Sequence, residues 1–368
     1  MLATASANDP LTVSVIVPAR NEEFSLDACL SSLVAQQGVS FEIIVVDDHS
    51  TDRTPEIASS FSGNGVKLIH APQPPNGWTG KNNAVAAGAK IARGEWLLFT
   101  DADTIHLPGS LARSIEEAKR QKAELLSYSP EQIVKSFWEK AVMPVIFADL
   151  AASYRPSQVS DPRSPAAAAN GQYILITRGA YNAAGGHAAI AGNLLEDVAL
   201  ARAVKRSGRK IFFRLGADAV RTRMYRTFSQ LREGWTKNLA LLFPHPARLA
   251  ALRAIEFILI VASLAIAIAD ALRGHSHSAI APGTLCLILY AVFLTRIRRA
   301  HFPWDANLFA LFGLPLFSYL LMRSKLFHNR GAVSWKGRRY PGNRKAMEPP
   351  KESESTPQEK HGLSHAQS

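Results

Sequence analysis

From Leu11 to about Ser129 the chain alternates short β-branched runs with amphipathic stretches. Few architectures accept that alternation other than a mostly parallel sheet crossed over by helices. Expected strands are residues 13–18, 41–46, 66–69, 96–100 and a weaker 125–128, apolar enough for a sheet covered on both faces. Between the first two strands Leu26, Cys29, Leu30, Leu33 and Val34 fall on one helical stripe, with Ser25 as the expected cap. The reading is therefore an α/β domain from residue 11 to about 250, preceded by a short tail of residues 1–10.

Composition changes after Arg253, where residues 254–272, 279–295 and 308–322 form three apolar runs. Each approaches the roughly 20 residues that a membrane helix needs. Arg296, Arg298 and Arg299 follow the second run, and Arg323, Lys325 and Arg330 follow the third. The domain reading continues as a membrane region over residues 251–328 and a basic, then disordered, tail over 329–368. Residues 137–154 are apolar but short, and either lie in a membrane interface or pack as a helix on the sheet domain. Residues 157–169, rich in Pro, Ser and Ala, read as a mobile loop. Only two cysteines are present, Cys29 and Cys286, so no disulfide framework is available and a reducing compartment is expected. The net charge of +12 suits nucleic acid, phosphorylated substrates or anionic lipid. Its placement beside apolar runs, without interleaved exposed aromatics, argues against nucleic acid.

Two acidic clusters carry chemistry. The second strand ends in Asp47-Asp48-His49-Ser50-Thr51-Asp52 and the fourth in Thr100-Asp101-Ala102-Asp103. Carboxyl ends of parallel strands form the ligand crevice of an open α/β sheet, so the clusters meet there and attract a divalent cation bridging phosphate oxygens. Asp47 has a plainer alternative as the cap of its own turn. Lys81 and Asn82 open a helix after a Gly-rich turn, where amides and dipole could meet a diphosphate or ribose. Glu196-Asp197 stands at another helix N-terminus, where negative charge is favoured for structural reasons alone.

Together, Val13-Ser14-Val15-Ile16-Val17-Pro18-Ala19-Arg20-Asn21-Glu22-Glu23, the Asp-Asp-x-Ser-x-Asp cluster and Thr-Asp-Ala-Asp resemble family 2 glycosyltransferases. The resemblance runs on through Gly77-Trp78-Thr79-Gly80-Lys81-Asn82-Asn83-Ala84, Gly185-Gly186-His187, Leu195-Glu196-Asp197-Val198-Ala199-Leu200 and Gly234-Trp235-Thr236-Lys237-Asn238. It covers residues 11 to about 240. Within the family the chain looks most like bacterial enzymes that decorate hopanoids or carotenoid acids. The resemblance implies an A-type glycosyltransferase fold and an inverting transfer from a nucleotide-diphosphate sugar, a UDP-sugar, to a lipid-like acceptor, with Mg or Mn as cofactor. It implies donor contacts from Pro18, Arg20, Glu22, Asp48, Lys81, Asn82 and Asp101, and metal ligation by Asp103 with Asp101. Asp47 remains a secondary donor residue. Asp197, seconded by Glu196, is implied as the base, and Trp235 and His187 as acceptor contacts.

Gln230-Leu231-Arg232-Glu233-Gly234-Trp235 resembles the Gln-x-x-Arg-Trp motif of processive polysaccharide synthases, but Gly234 stands at the arginine position. Processive synthesis is therefore not expected, and the diphosphate clamp would pass to Arg226, Arg232 or Lys237. Attraction of the same basic residues to anionic lipid explains them equally well. A nucleotidyltransferase would open its first helix with a Gly-rich loop, which Pro18-Ala19-Arg20-Asn21-Glu22 lacks, and a non-catalytic membrane protein would not need the acidic motifs.

Residues 1–11 carry no signal-peptide pattern, so the catalytic part is expected in the cytoplasm of a multi-pass inner-membrane protein. Residues 323–345 hold eight Lys or Arg and no acidic residue, which favours a cytoplasmic tail. Three full spans would place that tail outside. The third run, interrupted by Gly313-Leu314-Pro315, is therefore expected to be re-entrant, with Trp335 to Tyr340 on the cytoplasmic face near the donor site.

Overall fold

The computed structural model describes residues 11–340. Its strands are β1 (Val13–Ala19), β2 (Phe41–Asp47), β3 (Val66–His70), β4 (Trp96–Phe99), β5 (Thr104–His106), β6 (Leu125–Ser129), β7 (Glu131–Gln132), β8 (Ile174–Thr177), β9 (Ile211–Leu215), β10 (Val220–Thr222), β11 (Val333–Trp335) and β12 (Arg338–Tyr340). The helices are α1 (Leu26–Val34), α2 (Thr54–Ser60), α3 (Gly80–Ile91), α4 (Ser110–Gln121), α5 (Phe137–Ser153), α6 (Pro156–Ser160), α7 (Arg178–Ala183), α8 (Glu196–Arg206), α9 (Phe228–Leu242), α10 (Pro246–Leu272), α11 (Ser276–Ile297) and α12 (Trp304–Asn329).

Seven strands form the main sheet in the order β3-β2-β1-β4-β8-β6-β9. β8 alone runs antiparallel to its neighbours β4 and β6, and the other pairings are parallel. Strand alternation explains how the two faces fill. Val13, Val15 and Val17 point toward α1 and α4, joining Leu26, Leu30, Leu111 and Ile115. Ile16, Ile44 and Val46 point to the other face, against Ala84, Val85, Leu200 and Val204 of α3 and α8. Ser14 is buried in β1 yet fully used: it donates to Glu42 and accepts the amides of Arg93 and Gly94. Gly94 cannot be larger, because a Cβ there would lie 2.5 Å from the backbone nitrogen of Ser14.

Residues 137–154 resolve as a packed helix: α5 opens with a capping box between Ser136 and Glu139, and Val142, Val145 and Ile146 are fully buried. Two expectations are corrected here. Ser25 occupies the N-cap position of α1 without capping it, because its hydroxyl donates to the Glu22 carboxylate at 2.8 Å. The stretch 157–169 is no open loop, since it contains α6 and buries Val159, Ala167, Ala168 and Ala169 in the sheet core.

α10, α11 and α12 are all long and apolar enough to cross a membrane. They differ in company. The apolar windows of α10 and α11 are 11% and 6% buried, whereas that of α12 is 39% buried. α10 and α11 pair as a hairpin whose base is pinned by Glu256, which accepts from Arg253 at 3.0 Å and Arg296 at 2.8 Å. Arg253 also grips Asp149 of α5 at 2.6 Å. α12 packs on α10 too but also lies along α5 and α9: Asp305 near its start pairs with Lys140 at 2.6 Å, and Ser324 near its end donates to the Thr236 carbonyl at 2.7 Å. The expected re-entrant break is absent, for α12 runs as one helix through Pro315. The close approach of α5 leaves room only for glycine at 313, where a Cβ would meet the Ala141 carbonyl oxygen at 1.9 Å. The expected disorder of residues 347–368 and the tail of residues 1–10 fall outside the described residues.

Gly313→Ala should force α12 off α5, with a loss of about 1–3 kcal/mol. The detergent-solubilised protein should then lose its thermal transition midpoint by several degrees. Gly283→Ala, whose Cβ would meet only Ala267 at an ordinary 3.8 Å, should leave it unchanged.

Candidate active site

The parallel register sets the site. Ala19 of β1 lies beside Asp47 of β2, and the Asp48 amide donates to the Ala19 carbonyl at 2.8 Å. β4 ends beside Ile16, whose carbonyl accepts the Thr100 amide, so the loops carrying Asp48 and Asp101-Ala102-Asp103 emerge at one sheet edge. The turns after β1 and β2 are locked together, with Asn21 and His49 both at positive φ. The Asn21 side chain accepts the Thr51 amide at 2.9 Å, and Arg20 donates to the carbonyls of Asp48 at 2.6 Å and His49 at 3.0 Å. Asparagine suits such a position, since its side chain tolerates left-handed backbone.

A cavity of about 610 Å³ opens at this edge. Pro18, Arg20, Glu22, Asp48, Lys81, Asp101 and Asp103 line one end, and Glu196, Asp197, Trp235 and Lys237 line it further in. Phe147 and Leu150 of α5, Leu242 of α9 and Ala300 between α11 and α12 give the wall an apolar part. Lys81 joins the two acidic groups, pairing with Asp101 and with Glu196 at 2.6 Å each. Burial works against its charge, but the two carboxylates win and hold its amine well above the usual lysine range.

Asp103 is the most strained of these groups. Burial, then Asp101 and Glu22, push its carboxyl up to about 7, and its Oδ1 is buried with no hydrogen-bond partner. A carboxylate so placed fits an added cation. Among the described residues no three His, Cys, Asp or Glu side chains are placed to hold a metal alone, so phosphate oxygens would have to complete a site at Asp101 and Asp103.

Asp197 sits in the first turn of α8, whose N-cap is Leu195 with no side-chain cap. It accepts the Val198 amide at 2.7 Å and the Gly171 amide at 3.1 Å while lining the cavity. Burial, then neighbouring Glu196, push its carboxyl up to about 6. Glu196 resists the same burial because Lys81 holds it below the usual range. Lys237 also faces the cavity, and burial lowers its amine.

Five expected residues are not at the cavity wall. Asn82 is fully buried and its amide nitrogen donates to the carbonyls of Ile190, Ala191 and Asn193, fixing α3 rather than a ligand. Asp47 accepts the Ser50 amide at 3.2 Å and faces His70, which is the turn-capping role. His187 is buried against Phe99, with its Nδ1 3.0 Å from the Tyr181 hydroxyl, and burial lowers its imidazole to about 4. It is a core residue and not part of the cavity wall. Arg232 projects elsewhere on α9, and Arg226 donates to the Phe24 carbonyl at 2.8 Å.

The β11–β12 hairpin does come to the donor end, as its basic sequence suggested, and it is more involved than a neighbour. Trp335, Lys336 and Tyr340 line the cavity, Lys336 pairs with Glu22, and Arg338 forms a two-pronged pair with Asp48. Phe147, Tyr154 and Gln172 also line it without any motif to flag them. Their placement depends on long-range packing of α5 and β8.

Residues 14–176 match the family described as Glycosyl transferase family 2. A 4,4'-diaponeurosporenoate glycosyltransferase from Staphylococcus haemolyticus is 32% identical over 234 residues, 62% of this chain and 61% of that protein. The Staphylococcus aureus protein of the same name is 28% identical over 337 residues, 89% of this chain and 88% of that one. Among solved structures, a mannosyltransferase from Pyrobaculum calidifontis with GDP-Man and Mn2+ has 16% identity, 86% coverage of each chain and a TM-score of 0.49. S. aureus TarS 1-349 with UDP has 18% identity over 62% of this chain and 64% of that one, with a TM-score of 0.39. The sheet edge that carries Asp48, Asp101 and Asp103 thus lies within the segment, residues 14–176, that matches the glycosyl transferase family 2 model, in an A-type, mostly parallel α/β fold.

Proposed function

We propose that the protein is an inverting glycosyltransferase that moves a sugar from a UDP-sugar donor to a lipid-like acceptor. The observation that carries this reading is one cavity lined both by acidic and cationic side chains and by the apolar side chains of Phe147, Leu150 and Leu242, on the α5 and α9 helices that α12 packs against. Asp48 offers a carboxylate to a pyrimidine N–H, and Lys81 and Lys237 offer charge to a diphosphate. Asp103 and Asp101 are the residues that would hold Mg or Mn with the donor phosphates. A divalent cation there neutralises the charge that develops on the leaving diphosphate. The staphylococcal relatives are named for a diaponeurosporenoate acceptor, and an acceptor of that kind would reach Asp197 along the Phe147, Leu150 and Leu242 wall. Where the acceptor presents a hydroxyl, Asp197 takes its proton as the oxygen bonds to the anomeric carbon and the bond from that carbon to the donor diphosphate breaks, so that UDP leaves and the sugar inverts.

The sign of the pH dependence follows from the raised Asp197 carboxyl. Its basic form fills as pH rises through about 6, so transfer should climb between pH 5 and 7 and then level off. Asp197→Asn keeps the shape but removes the basicity. Turnover should fall by roughly two to four orders of magnitude with donor affinity retained. Donor affinity collapsing together with turnover would instead make Asp197 a structural support of α8.

Two spans, α10 and α11, account for the membrane topology without a broken helix. The hairpin leaves the catalytic domain at Arg253 and returns at Arg296, and α12 stays on α5 and α9 at both ends. The catalytic domain and the β11–β12 hairpin then share the cytoplasmic side. Ser334 is exposed and both native cysteines are buried, so Ser334→Cys gives a clean reporter. A membrane-impermeant thiol reagent should label it only after permeabilisation, whereas labelling in intact cells would mean three spans and an outside tail.

A further inference from the structure

We infer that the β11–β12 hairpin is the donor's diphosphate clamp: Arg338 leaves Asp48 for the diphosphate when a nucleotide binds, with Lys336 beside it. The inference rests on the donor reading given above. It starts from a vacancy in sequence, not in space. Gly234 stands where processive synthases place an arginine, and no side chain fits there, since a Cβ would lie 2.4 Å from the Tyr225 hydroxyl. Of the other cations near α9, Arg226 is engaged by Phe24, Arg232 is off the cavity wall, and only Lys237 faces in. Lys81, the other lysine offered to the diphosphate, is already shared between Asp101 and Glu196.

The hairpin supplies what is missing: Lys336 is on the cavity wall, and Arg338, itself off the wall, reaches it through Asp48. Its turn residues Lys336 and Gly337 have φ of 45° and 78°, the left-handed pair of a two-residue turn that folds β12 tightly back on β11. Val333 is fully buried, Lys336 Nζ donates to the Arg20 carbonyl at 2.8 Å, and Arg20 donates back to the Lys336 carbonyl at 3.2 Å. Lys237 lies 5.5 Å from the Trp335 ring centre. The hairpin is thereby held beside Glu22 and Asp48, with Lys336 near enough to Asp103 to act on its carboxyl, and a diphosphate lies among these groups if base and metal take Asp48 and the Asp101–Asp103 turn.

Arg338 cannot remain where it is once a donor enters. Its guanidinium covers both Asp48 oxygens, at 2.9 Å for the Nη2 contact, and those oxygens are the acceptors a base N–H requires. The exchange is a swap of partners: the base takes Asp48, and the guanidinium takes phosphate oxygens in the same two-pronged geometry. In either state the guanidinium has an anionic partner and Asp48 has a hydrogen-bond donor. Donor binding thus itself seats the hairpin.

Binding of UDP and of uridine to the purified protein, measured by calorimetry for wild type, Arg338→Ala and Arg338→Lys, separates this role from others. In Arg338→Ala the affinity for UDP should drop roughly ten- to a hundredfold while that for uridine holds or rises, with Arg338→Lys between. An unchanged UDP-to-uridine ratio, whether both affinities rise as for a plug or both fall as for a prop, overturns the clamp. Sugar transfer by the wild type is assayed in parallel. A wild type that transfers nothing from any nucleotide sugar fails the glycosyltransferase reading, whereas an unchanged ratio in a transferring wild type fails the clamp alone.

Discussion

Six carboxylates, those of Glu22, Asp48, Asp101, Asp103, Glu196 and Asp197, face one cavity, and the rest of the structure answers to that concentration of negative charge. Like charges within a few ångströms raise one another's proton affinity, and burial adds to the effect. The chain meets this with cations drawn from distant segments: Lys81 from α3, Lys237 from α9, Lys336 and Arg338 from the last hairpin. Where the match is incomplete, at Asp103 and Asp197, the carboxyls are displaced to about 7 and 6. Displaced groups of that kind concentrate where charge is to be added or protons moved. The two poorly compensated acids are the ones assigned to metal and to base.

The same economy explains which residues were legible in the sequence. Parallel strands leave their signature as short β-branched runs, and each of the five expected strands appears within one residue at either end. Asp48, Asp101 and Asp103 were legible because strand ends are local events. Asn82 and His187 were misplaced because neighbours from far along the chain claim them, carbonyls around residue 190 for Asn82 and Phe99 for His187, whereas Asp47 takes the turn-capping alternative through Ser50. A polar residue in a family-like motif holds a loop as readily as a ligand. The segment 157–169 misled for a related reason, since alanine and serine look like loop filler until a sheet face covers them.

The membrane region shows what hydropathy leaves open. α12 is apolar enough to span, yet its polar stops, Asp305 on Lys140 and Ser324 on Thr236, tie both ends to the catalytic domain. Hydropathy measures composition, whereas burial against α5 is a property of shape, set by Gly313. Because α12 stays docked, the chain returns beside its own active site and can place the β11–β12 hairpin over it. The packing of one helix thereby links the apolar part of the cavity wall to the cation supply of the acidic part.

The central claim is metal-dependent transfer of a sugar into a lipid product. Purified protein in vesicles containing extracted bacterial lipid, incubated with a panel of radiolabelled UDP-sugars, tests it by partition of label into organic solvent. Label from one donor should enter the organic phase with Mg or Mn present, disappear on chelation, and fall by roughly a thousandfold in Asp103→Ala. Organic-phase label that survives both chelation and Asp103→Ala, or label that never leaves the water, contradicts it.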